Sequence, residues 1–213
     1  MSVAVKVCGL TDLPALDAAL SGGAAYVGFV FFPASPRVLV PARAALLAAA
    51  VPPTTKRVGV VVDADDATLQ DILASVDLDM LQCHGTESPA RVSEIRAQFR
   101  RPVIKAIAVA SEEDVLAAHP YEDVADMLLF DGRPPPTASR PGGNATSFEW
   151  SLLRSRHWHR PWILAGGLSV DNLATAVAES GARTVDVSSS LEVAPGCKDP
   201  ARITAILDLA RDL

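Results

Sequence analysis

The chain has 213 residues, is 49 % hydrophobic and carries a formal net charge of −6. That length and apolar content support one sizeable core, read here as a single domain over residues 1–213. Charges of both signs are scattered without a Lys/Arg-rich run, which argues against nucleic acid as a partner, and no apolar run is long enough to span a bilayer. An acidic chain can still hold an anionic small molecule when backbone N–H groups do the binding. Three cysteines (Cys8, Cys83 and Cys197) make an odd number without framework spacing. No signal segment opens the chain. These features point to free thiols in a reducing, cytoplasmic setting, and Cys83 beside His84 is a poor spacing for a metal site.

Short β-branched runs alternate with Ala/Leu-rich helical patterns. The first run, 3–9, precedes a helical pattern with Leu13, Leu16 and Leu20 on one face and Gly22 as its stop. A strand over 25–32 and a weak helix "PARAALLAAAV" follow. The strand at 56–63 leads to a helix carrying Leu69, Ile72, Leu73 and Val76. The strand at 80–85 leads to a helix with Ser88 as N-cap, Pro89 first, and Val92, Ile95 and Phe99 on one face. The strand at 102–109 precedes a short helix from Ser111, and the strand at 126–132 precedes a long Pro/Gly/Ser-rich loop and a helix near Phe148. The strand at 162–167 leads to a helix capped by Ser169 and ended by Gly181. The strand at 184–190 leads to a last helix capped by Asp199-Pro200, with Ile203, Ile206, Leu207 and Ala210 inward.

These are eight strand-then-helix units, about 27 residues each, with apolar strands that demand cover on both faces. They predict an α/β fold, a closed (β/α)8 TIM barrel of parallel strands. The alternative is an open doubly wound sheet; the lack of an edge-like strand and of a first-turn G-x-G-x-x-G favours the barrel.

In such a barrel chemistry sits at the C-terminal ends of the strands. Cys8, Arg37, Asp63, His84, Asp131, Gly166-Gly167 and Ser188-Ser189-Ser190 fall there. Each has a plain structural reading: a small buried thiol, a solvated loop arginine, a rim histidine, a turn aspartate. Lys6 and Lys105 lie inside apolar strands, where the simplest placement is between sheet and helices with the ammonium snorkelling outward. Two combinations carry more. Glycines after strand seven and serines after strand eight are where backbone N–H groups hold a phosphate. Strand alternation turns Lys6 and Cys8 the same way, and an ammonium near a thiol is expected to lower its pKa toward neutrality. Asp131, at the mouth of another strand, is placed to give a proton as general acid. A base and an acid across a barrel mouth suit an isomerisation without metal or redox cofactor.

The motifs resemble the phosphoribosylanthranilate isomerase family of tryptophan biosynthesis along essentially the whole chain. "KVCGL" (6–10), "FFPASPR" (31–37), "LQCHG" (81–85), "LLFD" (128–131), "LAGGL" (164–168), "VDVSSSLE" (185–192) and "PGCKDP" (195–200) occur in the family's order. The resemblance implies an Amadori rearrangement of N-(5′-phosphoribosyl)anthranilate, a small phosphorylated substrate, with no cofactor. It implies Cys8 as general base, Asp131 as general acid and Arg37 on the anthranilate carboxylate. His84 and Asp186 would line the site, and backbone around Gly166, Gly167, Ser189 and Ser190 would hold the phosphate.

Two stretches depart from the family. Ser190 stands where Ser-Ser-Gly is usual, adding a Cβ and a hydroxyl near the phosphate end. In "GGNATSFEW" (142–150), Asn144 and Ala145 replace a Thr-Gly pair, and Asn144 is the residue able to take a left-handed bend there. Other readings are a histidine-pathway phosphoribosyl isomerase, against which Cys8 argues because that chemistry uses an aspartate there, and a phosphate-binding barrel without turnover. The oligomeric state is left open between monomer and homodimer.

Overall fold

Each apolar run forms a strand because its alternating side chains find cover on both sides. The computed structural model describes residues 2–213 except 136, 139, 145 and 155. In chain order the elements are β1 (Ala4–Cys8), α1 (Leu13–Ser21), β2 (Tyr26–Val30), α2 (Pro41–Ala48), β3 (Lys56–Val61), α3 (Asp66–Ser75), β4 (Met80–Cys83) and α4 (Pro89–Phe99). Then come β5 (Val103–Val109), α5 (Glu112–Leu116), α6 (His119–Glu122), β6 (Met127–Gly132), α7 (Ser151–Arg154), β7 (Trp162–Leu164), α8 (Leu173–Ser180) and β8 (Thr184–Val187). A short hairpin of β9 (Glu192–Ala194) and β10 (Cys197–Lys198) precedes α9 (Pro200–Asp212). β1 pairs in parallel with both β2 and β8, so the eight-stranded sheet closes, and the open doubly wound alternative falls.

Local chemistry sets the helix starts. Asp12, Asp65 and Ser88 accept from the backbone N–H three residues on, and Asp199 accepts from that of Ala201. Proline stands in the first turn of α1, α4 and α9, where its missing N–H costs nothing. Two expectations shift. Leu16 is buried as expected, but Leu20 is only half-buried and Leu13 is exposed, because the helix starts at Leu13 itself and leaves it on the rim; Ala15 and Ala19 complete the inward face. Ser169 does not cap α8; Asn172 does so positionally, and its side chain accepts from Ser169 N at 2.8 Å, tightening the turn. Gly181 ends α8 with φ +76, as a C-terminal glycine should.

Strand parity divides the core. Val5, Val7, Val27, Phe29, Leu81 and Phe130 face the helices. Val58, Ile104, Ala106, Leu129, Ile163 and Ala165 fill the barrel, and Cys8, Val30 and Val60 pack together at its mouth. Phe130 lies 4.8 Å from Trp158 and 5.9 Å from Trp162, ring centre to ring centre, and this packing fixes β6 with Asp131 turned inward.

The lysine placements differ from expectation. Lys6 faces into the barrel and is fully buried, since it shares parity with Cys8. Lys105 does lie on the helix side, but its ammonium never reaches water. Its Nζ pairs with Glu87 Oε2 at 2.7 Å, both side chains being 2 % exposed, and donates to Gly85 O at 2.7 Å. Glu87 in turn accepts from the N–H groups of Asp63 and Gly85. One buried pair therefore ties the loop after β3 to the loop after β4, next to His84. Lys105→Met would leave Glu87 buried without its cation, a change that costs about 3–5 kcal/mol. Denaturant unfolding should show that loss; stability equal to wild type would mean that Glu87 is satisfied by backbone alone.

Candidate active site

At the C-terminal ends of the strands a cleft of about 710 Å³, mouth included, opens over the barrel. Cys8, Arg37, His84, Asp131, Gly166, Gly167, Asp186 and Ser189 all line it. Among the sequence-predicted site residues, Ser190 stands apart: its hydroxyl donates to Leu168 O at 2.5 Å, tying the loop after β7 to the short 3-10 turn Ser189–Leu191. The extra hydroxyl is thus engaged within the protein.

On the β1 side, Lys6 Nζ lies 2.9 Å from Asp186 Oδ1 inside the barrel, with Cys8 above. Burial pulls the Lys6 ammonium down, but Asp186 and then Cys8 outweigh it and hold Lys6 above the usual lysine range. The expected lowering of the Cys8 pKa is not found. Burial, then the Asp186 carboxylate, push the thiol up, and Lys6 and Lys198 only partly oppose them. The physical reason is first the burial of the thiol, and then that the Asp186 carboxylate beside Lys6 offsets the pull of the ammonium. Gly28 makes the space for this group: a Cβ there would stand 2.9 Å from Cys8 Sγ and 3.2 Å from Lys6 Nζ. Cys83 has the opposite parity and is fully buried; burial pushes its thiol up to about 12.

Across the mouth, Asp131 Oδ2 is 3.2 Å from His84 Nε2. His84 Nδ1 is 2.6 Å from the Gln82 amide nitrogen. In that arrangement Nδ1 accepts, so the neutral ring carries its hydrogen on Nε2 and donates to Asp131. Gln82, wholly buried in β4, was not singled out from the sequence; its fixed offset of two residues from His84 on one strand face was the available signal. Two glycines admit the surrounding backbone. A Cβ on Gly166 (φ +92) would lie 2.6 Å from Gly132 N and 3.2 Å from Asp131 Oδ1, and one on Gly142 would overlap His84 Nε2.

The third wall holds Arg37, which is 4 % exposed. Its Nε donates to Glu192 Oε1 at 2.6 Å and its Nη2 to Glu192 Oε2 at 2.8 Å. Lys198 Nζ meets the same Glu192 Oε1 at 2.6 Å and also donates to Ser188 O at 3.1 Å. Burial pushes Glu192 up, yet Arg37 and Lys198 together hold its carboxyl below the usual range, while burial leaves Lys198 below that of a free lysine. Glu192 and Lys198 escaped the sequence reading of the site because both come from the hairpin, far in sequence from Arg37.

The remaining wall is backbone. Gly166 and Gly167 take positive φ, and Ser188 Oγ donates to Cys8 O at 3.0 Å, joining the ends of β8 and β1. The loop after β6 covers the cleft with Arg140, Pro141, Gly142, Gly143 and Asn144. Gly143 takes the left-handed bend (φ +69) expected of Asn144, whose side chain instead donates to Arg140 O at 3.0 Å. Ala145 lies outside the described residues.

Comparison with known proteins bears on the family and the fold. Residues 5–209 match the family model described as N-(5′-phosphoribosyl)anthranilate (PRA) isomerase. A relative from Cereibacter sphaeroides, named N-(5′-phosphoribosyl)anthranilate isomerase, is 55 % identical over 98 % of this chain and 99 % of its own. The crystal structure of phosphoribosyl anthranilate isomerase from Thermotoga maritima superposes with a TM-score of 0.88 at 35 % identity, covering 99 % of this chain and 100 % of that one. A similar structure, at TM-score 0.84 and 34 % identity over 99 % of this chain and 100 % of its own, holds reduced 1-(o-carboxyphenylamino)-1-deoxyribulose 5-phosphate.

The electrostatics of Cys8 are open to direct test. In a Cys197→Ser background, the pH dependence of Cys8 alkylation by iodoacetamide should centre above the ordinary thiol value of about 8.5. Asp186→Asn removes a carboxylate that raises it and frees Lys6, so the midpoint should fall. A midpoint that stays put in Asp186→Asn would show that burial alone sets the thiol.

Proposed function

The chain belongs to the N-(5′-phosphoribosyl)anthranilate isomerase family and is an isomerase of tryptophan biosynthesis, and on that premise we propose that Cys8 and Asp131 are the base and acid of its Amadori rearrangement. The observation that carries this reading is their placement: a thiol ending β1 and a carboxyl in β6 face one cleft from strands three apart around the barrel.

The first step needs a proton on the ribose ring oxygen. Asp131, in its acid form, accepts the His84 hydrogen at Oδ2 and keeps Oδ1 for the substrate. Its proton goes to the ring oxygen as the C1′–O bond breaks, and the anilino nitrogen lone pair forms the C1′=N bond of a Schiff base. Cys8, as thiolate, then takes the C2′ proton, and the bonding pair moves into a C1′=C2′ enolamine. Tautomerisation gives the 1-(2-carboxyphenylamino)-1-deoxyribulose 5-phosphate. Asp131 has then lost one proton and Cys8 gained one, exchange with solvent restores both, and no external oxidant or reductant is needed. The raised Cys8 pKa has a consequence here. The thiolate is scarce in the free enzyme but strongly basic once formed, and the cationic Schiff base beside it favours its formation.

The other walls supply binding. Glu192 occupies the Nε/Nη2 edge of Arg37, so the whole planar fork is not free as the sequence implied. The Nη1/Nη2 edge remains for the anthranilate carboxylate. Backbone N–H groups at Gly166, Gly167, Ser189 and Ser190 hold the phosphate; Ser190 contributes its main chain, its hydroxyl being engaged elsewhere. Asp186 acts through Lys6 and Cys8.

Turnover is followed by the loss of fluorescence of freshly made N-(5′-phosphoribosyl)anthranilate. Cys8→Ser and Asp131→Asn should each lower kcat by about 10²–10⁴, with product binding nearly intact. Near wild-type kcat in either variant removes that residue from the mechanism. Because turnover needs Cys8 without its proton and Asp131 with its own, the limb that Cys8 sets in the pH profile of wild-type kcat/KM should lie above the ordinary thiol range. That limb should vanish from the residual activity of Cys8→Ser; its survival would assign it to another group.

A further inference from the structure

We propose that Glu192 and Lys198 of the β9–β10 hairpin are positioning residues that select which edge of Arg37 meets the substrate carboxylate, making the hairpin the specificity element for the aromatic acid. The inference rests on the reading of Arg37 given above and deepens it.

A guanidinium offers five N–H donors over two edges that suit a carboxylate. Glu192 takes the side edge with both oxygens, at 2.6 and 2.8 Å. Rotation about the last bonds of Arg37 would break both contacts in a site where both side chains are 5 % exposed. The remaining edge, Nη1 with the second hydrogen of Nη2, is held in one direction. Nη1 lies against Gly143 of the covering loop, where a Cβ would overlap it.

Charge balance assigns Lys198 its part. When the substrate carboxylate arrives, Arg37 has two carboxylates upon it, and in a desolvated site they repel. Lys198, with its side chain fully buried, sits 2.6 Å from Glu192 Oε1 and offsets that second negative charge. The same ammonium donates to Ser188 O, and Ser188 Oγ donates to Cys8 O. The carboxylate clamp and the thiol therefore share one rigid support. The hairpin itself is seated by Thr11 Oγ1, which donates to Gly196 O at 3.1 Å, and by Gly196 (φ +83), where a Cβ would overlap Pro36 O. Its turn abuts the residue before Arg37.

The test compares N-(5′-phosphoribosyl)anthranilate with N-(5′-phosphoribosyl)aniline, which lacks the carboxylate. Glu192→Gln keeps the shape but sets an amide N–H against Nη2, so the guanidinium must turn. Its kcat/KM should fall about 10–100-fold on the anthranilate and stay within about threefold on the aniline. Glu192→Asp, which keeps the charge, should recover part of the loss. Lys198→Gln, a second route should Glu192→Gln fold poorly, should raise KM for the anthranilate more than for the aniline, while any change in kcat passed through Ser188 to Cys8 is common to both. Equal losses on both substrates, or no loss on either, would overturn the proposal. Arg37→Ala separates the two readings. If it does not discriminate between the substrates, the carboxylate role of Arg37 fails; if it does and the Glu192 and Lys198 variants do not, only the positioning role fails.

Discussion

Closure of the sheet by β1 against β8 is the constraint on which the site depends. The register of that pairing sets Lys6 directly opposite Asp186 and Val7 opposite Val187. Two residues 180 positions apart thereby become an ion pair at 2.9 Å within the barrel. Two residues further along each strand, the same register brings the Ser188 hydroxyl onto the carbonyl of Cys8. An open sheet would leave β1 with one neighbour, Lys6 without a partner and Cys8 without its environment.

That environment is costly, since buried charges must be matched in geometry before their attraction repays their desolvation. The protein meets the condition with alternating signs: Lys6 with Asp186, then Lys198 with Glu192 and Arg37. Burial and the Asp186 carboxylate outweigh the pull of Lys6 and Lys198 on the Cys8 proton, and the thiol stays protonated at rest. On the proposed mechanism, this arrangement would hold the base in reserve until a positive charge forms on the substrate.

How much of this was legible in the sequence follows from the range of each interaction. Local chemistry was readable: the Ser88-Pro89 start of α4, the Gly181 stop of α8, and the stripe of Ile203, Ile206, Leu207 and Ala210 in α9 are all found. Eight apolar runs with helical spacers sufficed for the barrel, and the strand-end rule brought Cys8, His84 and Asp131 to one cleft. What failed was anything that required knowing the other end of a long-range contact. Lys6 looked like an outward lysine because Asp186 was not known to face it. The thiol looked acidified because the same Asp186 was missing from the sum. Arg37 looked free because Glu192 belongs to a hairpin of short strands, in a segment read simply as the end of the eighth strand and the approach to the last helix.

The glycines show why these charges can stand so close to the chemistry. Gly28 faces the barrel between Cys8 and Lys6, Gly142 lies against His84 and Asp131, and Gly166 lies against Asp131 from the other side. Only Gly166 of these three needs a positive φ; the other two are glycine for want of space. Each removes a Cβ where a side chain of the cleft and a neighbouring strand or loop converge. Cys8 and Asp131 are thus each wrapped by backbone, which holds its position without side-chain rotamers. Arg37 is a long side chain with rotamers of its own, and there two further charged residues, Glu192 and Lys198, remove the freedom.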